Sequence, residues 1–89
     1  MKITGDLMED RVRTIVLKNV SFRVTEAEIG PISDLWAAGM SSMQSVSVLI
    51  AIENEFDIEL PEESLTRSTF GSISALARAV ESCLAAEAV

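Results

Sequence analysis

The residues of this sequence whose spacing could do chemistry are a cluster of hydroxyls. Serines stand at 41, 42, 45 and 47, directly after Gly39-Met40, while the chain has no histidine and a single cysteine, Cys83. With no imidazole and no lysine near these serines, no evident base can activate a hydroxyl, which argues against a serine enzyme built on Ser42. Zinc chemistry loses its commonest ligand in the same way. Glu53, Glu55, Asp57 and Glu59 offer oxygen ligands, but they lack both the spacing of a calcium loop and its turn glycine, so no metal site is expected. Cys83 cannot form an internal disulfide and reads as a small core residue. The remaining chemistry for a hydroxyl is attachment. Ser42 falls in the first turn of an expected helix, where free N–H groups and the positive end of the helix dipole stabilise a phosphodiester. Taken alone the position is a weak signal, because serine near a helix start is ordinary capping chemistry, and capping is the simpler explanation.

The elements that must position this serine follow from hydrophobic spacing. A first helix is expected from about Asp6 to Val20, with Asp6 and Glu9 at capping-box spacing and Leu7/Met8, Val12, Ile15/Val16 and Val20 on one stripe. Residues 21–41 read as a long ordered loop, with a turn opening at Thr25-Glu26-Ala27-Glu28 and a break at Gly30-Pro31. Such a loop in a small domain carries function or covers a core, and Ile32, Leu35 and Trp36 are the side chains suited to plug it onto the helices. A second helix begins at Ser41 or Ser42, with Ser41 and Gln44 as a capping box, and ends near Phe56. Residues 62–66 suit a short helical turn. Thr69 is expected to cap a last helix from about Gly71 to Ala86, with Ile73, Leu76, Val80 and Leu84 in register. No segment alternates as a strand does. The fold class is therefore all-α: a small bundle of three main helices plus one short helix, with a long loop between the first two, in one domain spanning residues 1–89.

The second helix carries more apolar surface than a bundle needs. Val48, Ile52 and Phe56 form one stripe, with Leu49 at its edge; Met43, Val46 and Ile50 form another on nearly the opposite side. The second stripe is either covered by the long loop or left open as a docking surface bordered by Glu53. Charge bears on who would dock. The net charge is −7, and between Arg23 and Arg67 the chain has no Lys or Arg but nine Asp and Glu. That surface repels nucleic acid and anionic lipid and favours protein partners with basic patches. The run Val46–Ile52, interrupted by Ser47, is too short to span a bilayer. Acids at 6, 9 and 10 interrupt any signal peptide, so a cytoplasmic location is expected.

From Asp34 to Leu84 the sequence resembles the acyl, peptidyl and aminoacyl carrier proteins. Their hallmark Gly-x-(Asp/His/Ser/Thr)-Ser-(Leu/Ile/Met) is matched by Gly39-Met40-Ser41-Ser42-Met43. The run Leu49-Ile50-Ala51-Ile52-Glu53 and the exit Glu55-Phe56-Asp57-Ile58-Glu59-Leu60-Pro61 resemble the family's second helix and its end. Ser68-Thr69-Phe70-Gly71-Ser72-Ile73 resembles the start of its last helix. Ser41 stands where fatty-acid carriers usually have aspartate, and two additional residues separate Asp34-Leu35 from the glycine. Leu35-Trp36-Ala37-Ala38-Gly39-Met40-Ser41-Ser42 looks closer to stand-alone bacterial carriers, some of which are charged with an amino acid by ligases related to class II aminoacyl-tRNA synthetases.

The resemblance implies a 4′-phosphopantetheine arm, taken from coenzyme A by a phosphopantetheinyl transferase and joined covalently to Ser42, holding an acyl or aminoacyl group as a thioester. It implies no catalysis by the chain itself. Ser41, Met43, Val46, Ile50, Glu53 and Asp57 align with positions that meet partner enzymes. The implied partners are the transferase, an acyl- or aminoacyl-loading ligase and downstream acyl-transferring enzymes, with no nucleic acid and no membrane, and the chain is expected to be a monomer. The alternative is a non-enzymatic interaction module that has the carrier fold but no prosthetic group.

Overall fold

Three helices carry the fold in the computed structural model, which describes residues 4–87: α1, Thr4–Asn19; α2, Ser42–Phe56; and α3, Ile73–Glu87. Three one-turn 3-10 segments, Glu26–Glu28, Glu62–Ser64 and Thr69–Gly71, punctuate the connections. There is no strand among the described residues. The expected minor helix is thus a set of single 3-10 turns. The reason is local: each is followed by a residue in an extended or irregular backbone that stops propagation, Ile29, Leu65 and Ser72 respectively.

The core is where the period of 3.6 placed it. On α1, Met8, Val12, Ile15 and Val16 are buried, as is Val20 just past its end, while Leu7 turns outward. Val48 and Ile52 of α2 and Ile73, Leu76, Ala77 and Val80 of α3 meet them, and α1 packs chiefly against α3. Phe56 and Leu84, expected in the same stripes, are half-buried at the rim. Arg11 covers the exposed side of Phe56, its guanidinium 4.3 Å from the ring centroid, and also pairs with Glu55 at 2.9 Å. The Asp6 half of the α1 capping box lies outside the described side chains. Glu9 accepts a hydrogen bond from the Ser74 hydroxyl at 3.1 Å, tying α1 to α3.

The long first connection is an ordered part of the bundle. Arg13 of α1 donates to the carbonyls of Ile29 and Glu26. The Leu35 N–H donates to Gly71 O at 2.9 Å, and the Ser74 N–H donates to Pro31 O at 2.8 Å. Leu35 is fully buried and Trp36 half-buried, but Ile32 is 86 % exposed, so the plug has two members and not three. Ile32 follows Pro31 in a turn whose backbone is turned toward α3, which leaves its side chain outward. The start of α3 also differs from expectation. Ser72, not Thr69, caps it: its hydroxyl accepts from the Ala75 N–H at 3.1 Å, whereas Thr69 opens the preceding 3-10 turn and bonds to the Thr66 hydroxyl.

Gly39 sets the close of this connection and so the entry to α2. Its φ is +125°, a region that side-chain-bearing residues rarely adopt, and a Cβ there would stand 3.3 Å from Arg23 Cγ and 3.4 Å from Arg23 N. The crowding arises because the Arg23 N–H donates to Ala38 O at 2.9 Å, pressing residues 21–23 against the turn. Gly39→Ala is therefore expected to destabilise the fold by roughly 1–3 kcal/mol, read as a lower urea midpoint at unchanged slope.

Candidate functional site

Two adjacent serines at the head of α2 have different surroundings. Ser41, in extended backbone at φ −94° and ψ 167°, is the N-cap: its hydroxyl accepts from the Gln44 N–H at 3.1 Å, and Gln44 Oε1 accepts from the Ser41 N–H at 3.0 Å. The capping box uses that hydroxyl. Ser42, the first helical residue, is exposed, and among the described residues its hydroxyl makes no hydrogen bond. The Ser45 hydroxyl, one turn on, donates to Ser42 O at 2.6 Å and is committed to the helix. The first-turn N–H groups of Ser42 and Met43 have no intrahelical acceptors, as at any helix start, and add partial positive charge beside the Ser42 oxygen. The arrangement suits a hydroxyl that is to be covalently modified with an anionic group.

Further along α2 the structure separates the two apolar stripes. Val48 and Ile52 are fully buried, whereas Met43, Val46 and Ile50 are 80 %, 52 % and 54 % exposed. The loop that could have covered them lies elsewhere, held to α1 and to the start of α3 by the bonds described above. Ser42, Met43, Val46 and Ile50 thus share one open face. The two acids are arranged differently. Glu53 is half-buried at the end of α2, where its carboxylate accepts from the Leu60 N–H at 3.0 Å and its carbonyl accepts from Asp57 and Ile58. It organises the exit of the helix while bordering the face. Asp57 closes the helix in the left-handed conformation, φ 54° and ψ 51°, which aspartate tolerates better than most residues, and its carboxylate faces solvent.

Beside Ser42 runs a cleft of about 320 Å³, lined by Trp36, Ser42, Ser45, Val46, Leu49, Leu65, Thr66, Arg67 and Phe70. Its far wall is the segment between the second and third 3-10 turns. Sequence reasoning missed that wall. Leu65, Thr66 and Arg67 lie more than twenty positions from Ser42 and show no periodicity that would aim them at it. The signal available was that Arg67 is the single cation between Arg23 and Arg78. Its guanidinium stacks on Trp36, 4.4 Å from the ring centroid, and the Trp36 indole N–H donates to Arg67 O at 3.0 Å. Cys83 does not line this cleft; it is half-buried against the core, with its thiol on Glu59 O. No helix among the described residues is long and apolar enough to cross a membrane.

Comparison with known proteins agrees with this geometry. Residues 10–80 match the family model described as the phosphopantetheine attachment site. The aminoacyl carrier protein of Agrobacterium fabrum is 39 % identical over 69 residues, covering 78 % of this chain and 83 % of that protein. In a crystal structure of an engineered Bradyrhizobium japonicum glycine:[carrier protein] ligase complexed with a carrier protein from Agrobacterium tumefaciens and ATP, a chain 38 % identical superimposes with a TM-score of 0.77. That alignment covers 83 % of this chain and 96 % of that one. A chain from the Bradyrhizobium japonicum ligase complexed with glycylated carrier protein is 25 % identical, with a TM-score of 0.62, covering 86 % of this chain and 99 % of its own length.

Proposed function

The chain belongs to the phosphopantetheine attachment-site family of carrier proteins, and from that premise we propose that it is a stand-alone aminoacyl carrier whose arm is attached at Ser42. The observation that carries the reading is the exposed Ser42 hydroxyl, free of hydrogen bonds among the described residues, at an open helix N-terminus. Attachment joins the Ser42 oxygen to the phosphorus of the pantetheine phosphate of coenzyme A. The adenosine bisphosphate half departs, and the serine proton passes to the transferase. The arm's terminal thiol supplies the thioester linkage for the cargo. The chain's own part is to hold the attachment point outward, to stabilise the phosphodiester with the first-turn N–H groups, and to offer a surface that partner enzymes recognise. The absence of a base near Ser42 fits this division of labour, since activation of the hydroxyl falls to the transferase.

The cargo class is read from the relatives, which are named aminoacyl carriers and are found with glycine ligases. The partner-docking face is Met43, Val46 and Ile50, edged by Ser41, Glu53 and Asp57. Exposed apolar side chains at this density on a small domain favour a protein partner, and the acids steer one with a basic rim.

The test is intact mass spectrometry. Incubation with coenzyme A and a phosphopantetheinyl transferase is expected to add one phosphopantetheine. Further incubation with a glycine:[carrier protein] ligase, ATP and amino acid is expected to add one aminoacyl group that hydroxylamine removes. Ile50→Asp, which places a charge in the apolar face, is expected to slow the ligase step by roughly tenfold to a hundredfold while the arm is still added; a buried unpaired charge costs a few kcal/mol. No mass gain with the transferase would reject the carrier reading in favour of a bare interaction module.

A further inference from the structure

On the basis of the aminoacyl-carrier reading, we propose that Arg67, held on Trp36 beside Ile32, is a specificity determinant for loading. It meets a carboxylate on the aminoacyl-loading ligase and turns away partners whose docking rim is basic throughout.

Charge singles out the residue. Arg67 is the single cation between Arg23 and Arg78, and no carboxylate among the described residues pairs with it, although nine acids lie between Arg23 and Arg67 in the sequence. An exposed, unpaired guanidinium in a strongly acidic protein is the feature to explain. Its position is fixed by the stack on Trp36 and by the bond from the Trp36 indole to its own carbonyl. Stacking occupies one face of the guanidinium and leaves its edge N–H donors in plane. Those donors make no hydrogen bond among the described residues, and their planar fork matches a carboxylate. Because the side chain is already held, little rotamer freedom is lost when a partner engages it.

Place agrees with charge. Trp36 and Arg67 line two adjoining clefts, one shared with Ser42 and Val46, the other with Ile32 and Asp34. They are the common wall between the attachment point and Ile32, which is 86 % exposed on an ordered turn and packs on nothing in the core. An aromatic ring, an arginine and an open aliphatic side chain together have the composition of an interface centre. Through Val46 this patch is continuous with the Met43, Val46 and Ile50 face, on the other side of the Ser42 cleft.

The chemistry of loading points to the ligase as the occupant. A phosphopantetheine arm is the same on every carrier, so the enzyme that assigns the amino acid has only the protein surface to read. The acids of this chain reward any basic rim alike. Telling basic partners apart requires an element that penalises the wrong one, and a lone cation in a negative field does so. A second contact across the cleft also fixes the turn of the carrier about its docking face, and with it where the thiol arrives.

The experiment follows loading of the phosphopantetheinylated protein, its arm confirmed by mass spectrometry, by a glycine:[carrier protein] ligase with ATP and glycine. Arg67→Gln is expected to raise the KM for the carrier by roughly fivefold to twentyfold, with kcat within about twofold of the wild type. Arg67→Glu should raise it further, and Arg67→Lys should recover part, because it keeps charge and loses the planar fork. Ile32→Ser should raise KM by roughly threefold. Arm addition by the transferase should stay within about twofold of the wild type in all four variants. Loading of Arg67→Gln should also depend less steeply on salt between about 50 and 500 mM, which a merely structural role for Arg67 would not produce. A wild type that is loaded while Arg67→Gln retains its KM, or while Arg67→Glu loads faster, overturns this inference alone. So does an equal slowing of arm addition and loading. A wild type that takes the arm but no glycine overturns the aminoacyl reading with it.

Discussion

Ser42→Ala is expected to abolish phosphopantetheinylation completely, with no mass gain even after prolonged exposure to transferase and coenzyme A, while circular dichroism and thermal unfolding stay close to the wild type. The loss should be total because no neighbouring hydroxyl can stand in. Ser41 spends its oxygen on the Gln44 N–H, and Ser45 lies one turn into the helix, with its hydroxyl on Ser42 O. The stability should be spared because the Ser42 hydroxyl makes no hydrogen bond among the described residues and alanine is a good helix former. An exposed substitution of this kind normally stays within about 0.5 kcal/mol. Ser41→Ala is the informative contrast. It removes the capping acceptor and should lower stability by about 1 kcal/mol, yet leave the arm in place. A Ser42→Ala variant that still gains mass would move the attachment point elsewhere.

That contrast also shows what could be read in the residues beforehand. The caps of α2 were legible because a capping box is closed within four residues, and Ser41 with Gln44 carries its own signature. The double stripe on α2 was legible from period alone, but not whether the second stripe, Met43, Val46 and Ile50, is covered or open. Where the long loop lies decides that, and the loop is held by bonds between residues distant in sequence: Arg13 to Ile29, Leu35 to Gly71, Ser74 to Pro31. The same reason hid the wall of the cleft. Arg67 faces the Ser42 site only because Trp36, reached through the folded loop, lies beneath it. Glu53 was read as a border of the face; its bond to the Leu60 amide, seven residues on, depends on the left-handed turn at Asp57, which no hydrophobic period encodes. Ile32 and Leu35 looked equivalent as apolar loop residues, and the turn after Pro31 separated them.

The separation of Ile32 from Leu35 leads to the other large effect. Leu35→Ala is expected to destabilise the protein by roughly 2–5 kcal/mol, the range for truncating a fully buried leucine. In a domain of this size that is a large share of the total, since small domains lie at the low end of about 5–15 kcal/mol. The melting temperature should fall by roughly 8–40 °C, at about 4–8 °C per kcal/mol for a chain of this length. The damage should spread beyond the cavity. Leu35 anchors the connection from both sides, its N–H donating to Gly71 O and its carbonyl accepting from the Met40 N–H, and Met40 is itself buried immediately before the α2 cap. Loosening Leu35 therefore releases Trp36, the wall that carries Arg67, and the backbone that aims Ser42. Modification of Leu35→Ala at a temperature where it remains folded should slow, whereas Ile32→Ala, changing an almost fully exposed side chain, should alter neither stability nor modification. Equal effects of the two substitutions would mean that the connection is a tether and not part of the core. The buried leucine argues for the core: the loop that shows the serine to a partner is held in place by the same side chain that completes the bundle.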